Sequence, residues 1–134
     1  MDRKKRGINI RELAGFVLLA GLLLAGFLLS WYLGRQYPMV SGALEDSAWM
    51  ALSGQWEKAR QNASDAKAQW EKSWKLQAAF ADHNPMEEID SLFAELTVLG
   101  VTEQREEFAR LCRALSCRME DMADAQRLSW WNVL

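Results

Sequence analysis

Between Leu13 and Leu33 the chain runs for 21 residues without one charged side chain, and very few environments accept such a segment. At about 1.5 Å of rise per residue, a helix of this length covers roughly 30 Å, the hydrocarbon thickness of a bilayer. The run predicts a single membrane-spanning helix. Its flanks give it a direction, because Lys and Arg resist translocation while acidic residues matter little. Arg3, Lys4, Lys5, Arg6 and Arg11 precede it; after Arg35 the next basic residue is Lys58. The N-terminus is therefore expected in the cytoplasm and the region after Arg35 outside it. A cleaved signal peptide shares this layout, and Ser41-Gly42-Ala43 offers the small residues that cleavage requires. The apolar core of a signal is shorter, about 7 to 15 residues, and Trp31 and Tyr32 suit the headgroup level. Both features favour an uncleaved anchor.

Three segments follow: a basic tail over residues 1–12, an anchor over 13–35 and an extracytoplasmic helical domain over 36–134. Gly26, Ser30 and Gly34 recur every fourth residue, a spacing that lets two helix backbones approach and offers a homodimer contact within the span. Beyond the anchor, residues 36–134 hold 10 Lys or Arg against 16 Asp or Glu, a formal charge of −6 with His83 neutral. Nucleic acid is excluded as a natural partner, since its affinity comes from clustered basic side chains. A region of this size buries one core.

Only two prolines interrupt the chain, Pro38 and Pro85, so the domain is expected to be nearly all helix. Pro38 lacks a backbone donor and restrains Tyr37, which predicts that the anchor helix ends or kinks there. A first domain helix is expected from about Ser41 to Ser53, with Leu44, Ala48, Trp49 and Leu52 on its apolar side and Gly54 as its stop. The second has Trp56, Ala59, Ala63, Ala66, Trp70, Trp74 and Phe80 facing inward. Asn84 as N-cap, Pro85 at the first helical position and Glu87 three residues after the cap form a capping-box pattern that closes the second helix near Asp82. The third helix carries Ile89, Leu92, Phe93, Leu96 and Leu99 and stops at Gly100. Thr102 caps the fourth, in which Phe108, Leu111, Cys112, Leu115, Met119 and Met122 recur at three or four. The predicted fold is all-α: a transmembrane helix followed by a four-helix antiparallel domain of two hairpins. Helix, Gly54, helix and helix, Gly100, helix read as two related halves, too few for a tetratricopeptide-like array, which leaves a peptide-binding groove as a lesser alternative.

Cys112 and Cys117 are five residues apart on one helix, about 140° around it and about 8 Å along it, which forbids a bridge between them. Cys112 falls on the apolar stripe and Cys117 off it. Trp70 and Trp74 share a helical side; they are read as core, with a stacked sugar or peptide ligand as the alternative. His83, the only histidine, lies beside Asp82, Glu87 and Glu88. A lone histidine is a poor metal signal, and acids in a helix's first turn are accounted for by the macrodipole. No Gly-rich phosphate loop, nucleophile elbow or Cys-x-x-Cys is present, so no catalytic residue, metal ligand or cofactor is assigned.

An N-terminal span followed by Trp56-Glu57-Lys58-Ala59, Trp70 and Trp74, Asp82-His83, Ile89-Asp90 and Asn132-Val133-Leu134 resembles the domain-of-unknown-function family DUF4363, short membrane proteins found largely in Gram-positive Firmicutes. The resemblance covers nearly the whole chain. It implies a helical extracytoplasmic domain on a membrane anchor and brings no activity or catalytic residue. Asn84-Pro85-Met86 before the acidic pair departs from the family pattern. The resulting expectation is a single-pass, non-enzymatic domain at the bacterial cell envelope that binds another protein. The alternative is a ligand- or signal-sensing domain using the Trp70/Trp74 side or the His83 region.

Overall fold

The computed structural model describes residues 9–77 and 84–133. These form four helices: α1 (Ile10–Leu52), α2 (Trp56–Gln77), α3 (Asn84–Val101) and α4 (Arg105–Val133). The chain divides into two compact units, Met1–Tyr32 and Leu33–Leu134, and α1 contributes to both.

In the first unit the apolar run is helical and uncovered. Phe16, Leu18, Leu23 and Phe27 are 72, 67, 68 and 63% exposed. A water-soluble surface does not carry so long a continuous apolar face. This is the one helix among the described residues long and apolar enough to cross a membrane.

The second unit is a bundle built on stripes spaced by three and four residues, the interval that keeps side chains on one helical side. On α1 the stripe is Leu33, Tyr37, Val40, Leu44, Ala48 and Ala51. On α2 it is Trp56, Ala59, Ala63, Ala66 and Trp70, on α3 Met86, Ile89, Phe93 and Leu96, and on α4 Phe108, Cys112, Leu115, Met119 and Ala123. Leu92, Leu99, Leu111 and Met122 pack partly buried at the margins.

Neighbours are identified by polar contacts. Asn62 Nδ2 donates to the Ala43 carbonyl (2.8 Å) and Ser47 Oγ (3.0 Å), and Gln69 Nε2 donates to Gln36 Oε1, so α1 and α2 run antiparallel. Trp70 Nε1 donates to Asp90 Oδ1 at 3.2 Å and joins α2 to α3. Arg118 pairs with Glu88 at 3.0 Å across α3 and α4. Ser41 Oγ meets Ser116 Oγ at 2.8 Å and closes the ring between α1 and α4. Across the core Trp56 and Phe108 meet edge to face, 5.0 Å between centroids.

Several expectations are corrected. Of the two outcomes expected at Pro38, an end or a kink, the end is corrected: Pro38 lies inside α1, and the apolar run and the first bundle helix belong to one helix. Proline removes a single donor, and the residue whose carbonyl loses its bond, Gly34, is exposed on the helix surface. The buried stripe on both sides of Pro38 outweighs that local loss. Trp49 and Leu52 are not on the inward side: they are 64 and 52% exposed, and Ala51 takes the buried position. On α2 the stripe continues through Ser73 and Gln77, both buried, while Trp74 is only partly so. Phe80, and the closure of α2 near Asp82, lie outside the described residues.

Gly100 does not stop α3. It is buried within the helix, which runs on to Val101. Thr102 is not the cap of α4 either: its N–H and Oγ both donate to the Val98 carbonyl, and α4 begins at Arg105. The left-handed residue that closes α3 is Glu103, with φ 57°.

This shifts the internal correspondence from Gly54 with Gly100 to Gly54 with Glu103. Gly54 has φ 85°, and Gln55 N–H bonds the Met50 carbonyl just as Gln104 N–H bonds that of Leu99. These are the six-to-one bonds of a Schellman ending. The likeness extends to side chains: Gln55 Nε2 donates to Ser53 Oγ and Gln104 Nε2 to Thr102 Oγ1. Each glutamine carbonyl then accepts the N–H four residues on, from Ala59 and Phe108. The two hairpins repeat at an offset of 49 residues, read from these turns.

Candidate functional site

The facing sides of α2 and α3 carry small residues, Ala63 and Ser64 on one and Thr97 and Gly100 on the other. Small side chains leave space between two helices, and here a groove of about 330 Å³ opens to solvent. Its floor is apolar: Ala63, Phe93 and Leu96, with Phe108 reaching through from α4. At Gly100 an added Cβ would stand 3.6 Å from Phe108 Cε2 and 3.9 Å from Arg60 Cγ. That is ordinary contact, so the missing side chain is part of the opening and not a steric necessity.

Arg60 and Lys67 line its α2 side. Arg60 Nη1 lies 3.2 Å from Glu57 Oε1, and Lys67 Nζ lies 3.8 Å from Glu71 Oε1. All four side chains are well exposed, so these pairs contribute little and exchange easily. α2 has five Lys or Arg against three Asp or Glu, whereas α3 has four acids and no base. No acidic residue of α3 lines the groove. Glu57 lines the same α2 edge beside Arg60, so the edge carries two cations and one carboxylate over an apolar floor, on a domain that is otherwise acidic. Sequence reading kept a peptide-binding groove as a lesser alternative but did not place it, because Arg60, Lys67 and Gly100 look like solvated surface and a helix stop. The available signal was small residues on two adjacent helices, visible only once their register is known.

The positions singled out from sequence fall elsewhere. Trp70 is core: it is 1% exposed, its ring meets Tyr37 at 6.3 Å, and its Nε1 donates to Asp90. Trp74 is partly buried, and its Nε1 is enclosed without a hydrogen-bond partner among the described residues, as is Nε2 of buried Gln77. The pair does not form an open stacking platform. His83 lies outside the described residues, and among those described no three His, Cys, Asp or Glu gather as a metal site would require. A Cβ at Gly26 or Gly34 would meet nothing within 4 Å, so the small-residue side of the span is open.

Cys112 is buried and Cys117 exposed, both as free thiols. Burial, with a smaller contribution from the Glu45 carboxylate, pushes the Cys112 thiol up to about 12. Burial likewise raises the Tyr37 phenol, whose hydroxyl donates to Gln77 Oε1 at 2.6 Å. Neither group is set up as a nucleophile or base near neutral pH.

Comparison with known proteins gives one assignment. Residues 41–133 match the family model described as domain of unknown function DUF4363, and the chain belongs to that family. The match begins inside α1 and covers the bundle to the end of α4. No curated protein and no solved structure was found to match the chain.

Proposed function

We propose that this DUF4363 protein is a non-enzymatic, single-pass membrane protein of the bacterial cell envelope, with its N-terminus in the cytoplasm and its bundle on the other side, where it binds a protein partner. The observation that carries the reading is the uncovered apolar face of α1, which needs a bilayer to cover it. Orientation follows the five basic residues before the span against one shortly after it. The non-enzymatic part follows from the absence of a catalytic motif in the sequence and from two titratable core groups held neutral. Protein is favoured as partner because the acidic domain repels nucleic acid and anionic lipid, and because a bundle with an open groove suits helix recognition. The Gly26, Ser30, Gly34 side of the span is proposed as a homodimer contact.

A reporter fused after Leu134 tests the topology. Alkaline phosphatase, active only after export, is expected to be active there, and a fluorescent protein that folds only in the cytoplasm is expected to stay dark. The reverse pattern would overturn the orientation and the envelope assignment with it.

A further inference from the structure

The groove between α2 and α3 has features that narrow its occupant. Arg60 and Lys67 are seven residues apart, about 10 Å along α2, so the edge spans two helical turns. Between them lies the apolar floor, where Ala63 and Gly100 carry little or no side chain. A volume of about 330 Å³ takes one or two large apolar side chains, not a second helix. Among the described residues the cations pair with Glu57 and Glu71 on their own helix, and a competing carboxylate replaces such exposed pairs at small cost. Glu57 shares the Arg60 end, so the edge keeps a net charge of about +1 on an otherwise acidic domain, and an approaching carboxylate is favoured there, most at Lys67.

We propose that the groove docks an amphipathic helix of a partner protein, which inserts a large apolar side chain over Ala63 and Gly100 and sets two carboxylates, seven residues apart, against Arg60 and Lys67. The inference rests on the protein-binding reading above and gives it a surface and a partner chemistry. Matching seven-residue spacings place both carboxylates on one side of the incoming helix, with the apolar anchor three or four residues from each.

The test uses the full chain in lipid nanodiscs and two 18-residue helical peptides with identical apolar anchors. One carries Glu at the two flanking positions and the other Lys. The Glu peptide is expected to bind saturably and at least tenfold tighter than the Lys peptide. Arg60→Glu combined with Lys67→Glu, both on the surface, should reverse that preference. Gly100→Leu, with its helicity checked by circular dichroism, should weaken the Glu peptide at least tenfold. Absent binding, or equal binding of the two peptides, would overturn the proposal. In cells, a photoreactive benzophenone side chain placed at exposed Ser64 should crosslink a protein segment of this acid-apolar-acid pattern. The same group at exposed Ala114 on α4 serves as the comparison. Protein crosslinks from Ala114 alone would remove the groove and leave the protein-binding reading standing; none from either site would remove both. A second copy of this chain captured at Ser64 would replace the proposal with self-association.

Discussion

Cys112 and Cys117 show how much a shift of five residues along one helix changes a side chain's chemistry. Cys112 faces the core with no measurable exposure, and its thiol is pushed up to about 12; Cys117 faces solvent. The thiolate is the reactive form, so a maleimide added to the folded protein at pH 8 is expected to label Cys117 and leave Cys112 intact until denaturant is present. Mass mapping of the labelled peptides checks this, and labelling of both thiols at similar rates in the native state would contradict the packing of α4. The distinction was legible in the sequence, because Cys112 continues the spacing of Phe108, Leu115 and Met119 and Cys117 breaks it. The end of α2 was not. There the stripe passes through Ser73 and Gln77, and hydropathy alone favours Trp74 and Phe80. Ser73 is accepted because its Oγ donates to the Gln69 carbonyl, and Gln77 because its Oε1 receives Tyr37. Periodicity set these positions, and hydrogen bonding, within α2 for Ser73 and across to α1 for one end of Gln77, offsets part of the cost of burying them.

Among the helices, the two hairpin turns are chemically different solutions to one backbone geometry. Gly54 adopts φ 85° at no steric cost, whereas Glu103 holds φ 57° with a side chain. Glu103→Gly is expected to stabilise the full chain by about 1 kcal/mol, since only an exposed pair with Arg105 is lost. Gly54→Ala should destabilise it by about 1 kcal/mol, purely through the backbone, because a Cβ there meets nothing within 4 Å. Urea unfolding in detergent micelles measures both, and two shifts of the same sign would refute the equivalence of the turns. Gly54 was readable as a stop because glycine announces the left-handed position. Glu103 was not, and Gly100 drew attention to the wrong residue. Pro38 presents the same problem within α1. Its local signal is to end the helix, yet the stripe from Leu33 through Tyr37 and Val40 to Leu44 keeps one register across it. Pro38→Ala restores a donor and is expected to raise stability by up to about 3 kcal/mol. A fall in the thermal midpoint would show that the proline is matched to its surroundings.

For the bundle as a whole, four helices and their inward sides could be predicted from spacing, but their neighbours could not. The ring α1, α2, α3, α4 is defined by Asn62 with Ser47, Trp70 with Asp90, Arg118 with Glu88 and Ser41 with Ser116, pairs that no single helix advertises. The groove depends on that arrangement and was hidden for the same reason. The arrangement also buries two weak acids, Tyr37 on α1 and Cys112 on α4, each held above its ordinary value. For both, the folded state keeps its proton to higher pH than the unfolded state. The unfolded chain therefore binds fewer protons once pH passes the ordinary values, and stability falls as pH rises. Below about pH 8 the contribution of each group is fully present. The Cys112 contribution is lost between its ordinary value near 9.0 and about 12, and Tyr37 adds to the decline above its ordinary 10.0. Cys112→Ala separates the two. It should be less stable than the parent at pH 7, where a buried sulfur is lost, and the difference should narrow steadily as pH is raised from 8 to 11, because the variant no longer has a thiol to ionise. Urea midpoints across that range measure the gap. A gap that stays constant would mean that the thiol is not held neutral by the fold, and would count against the tight α1 and α4 seam that encloses it.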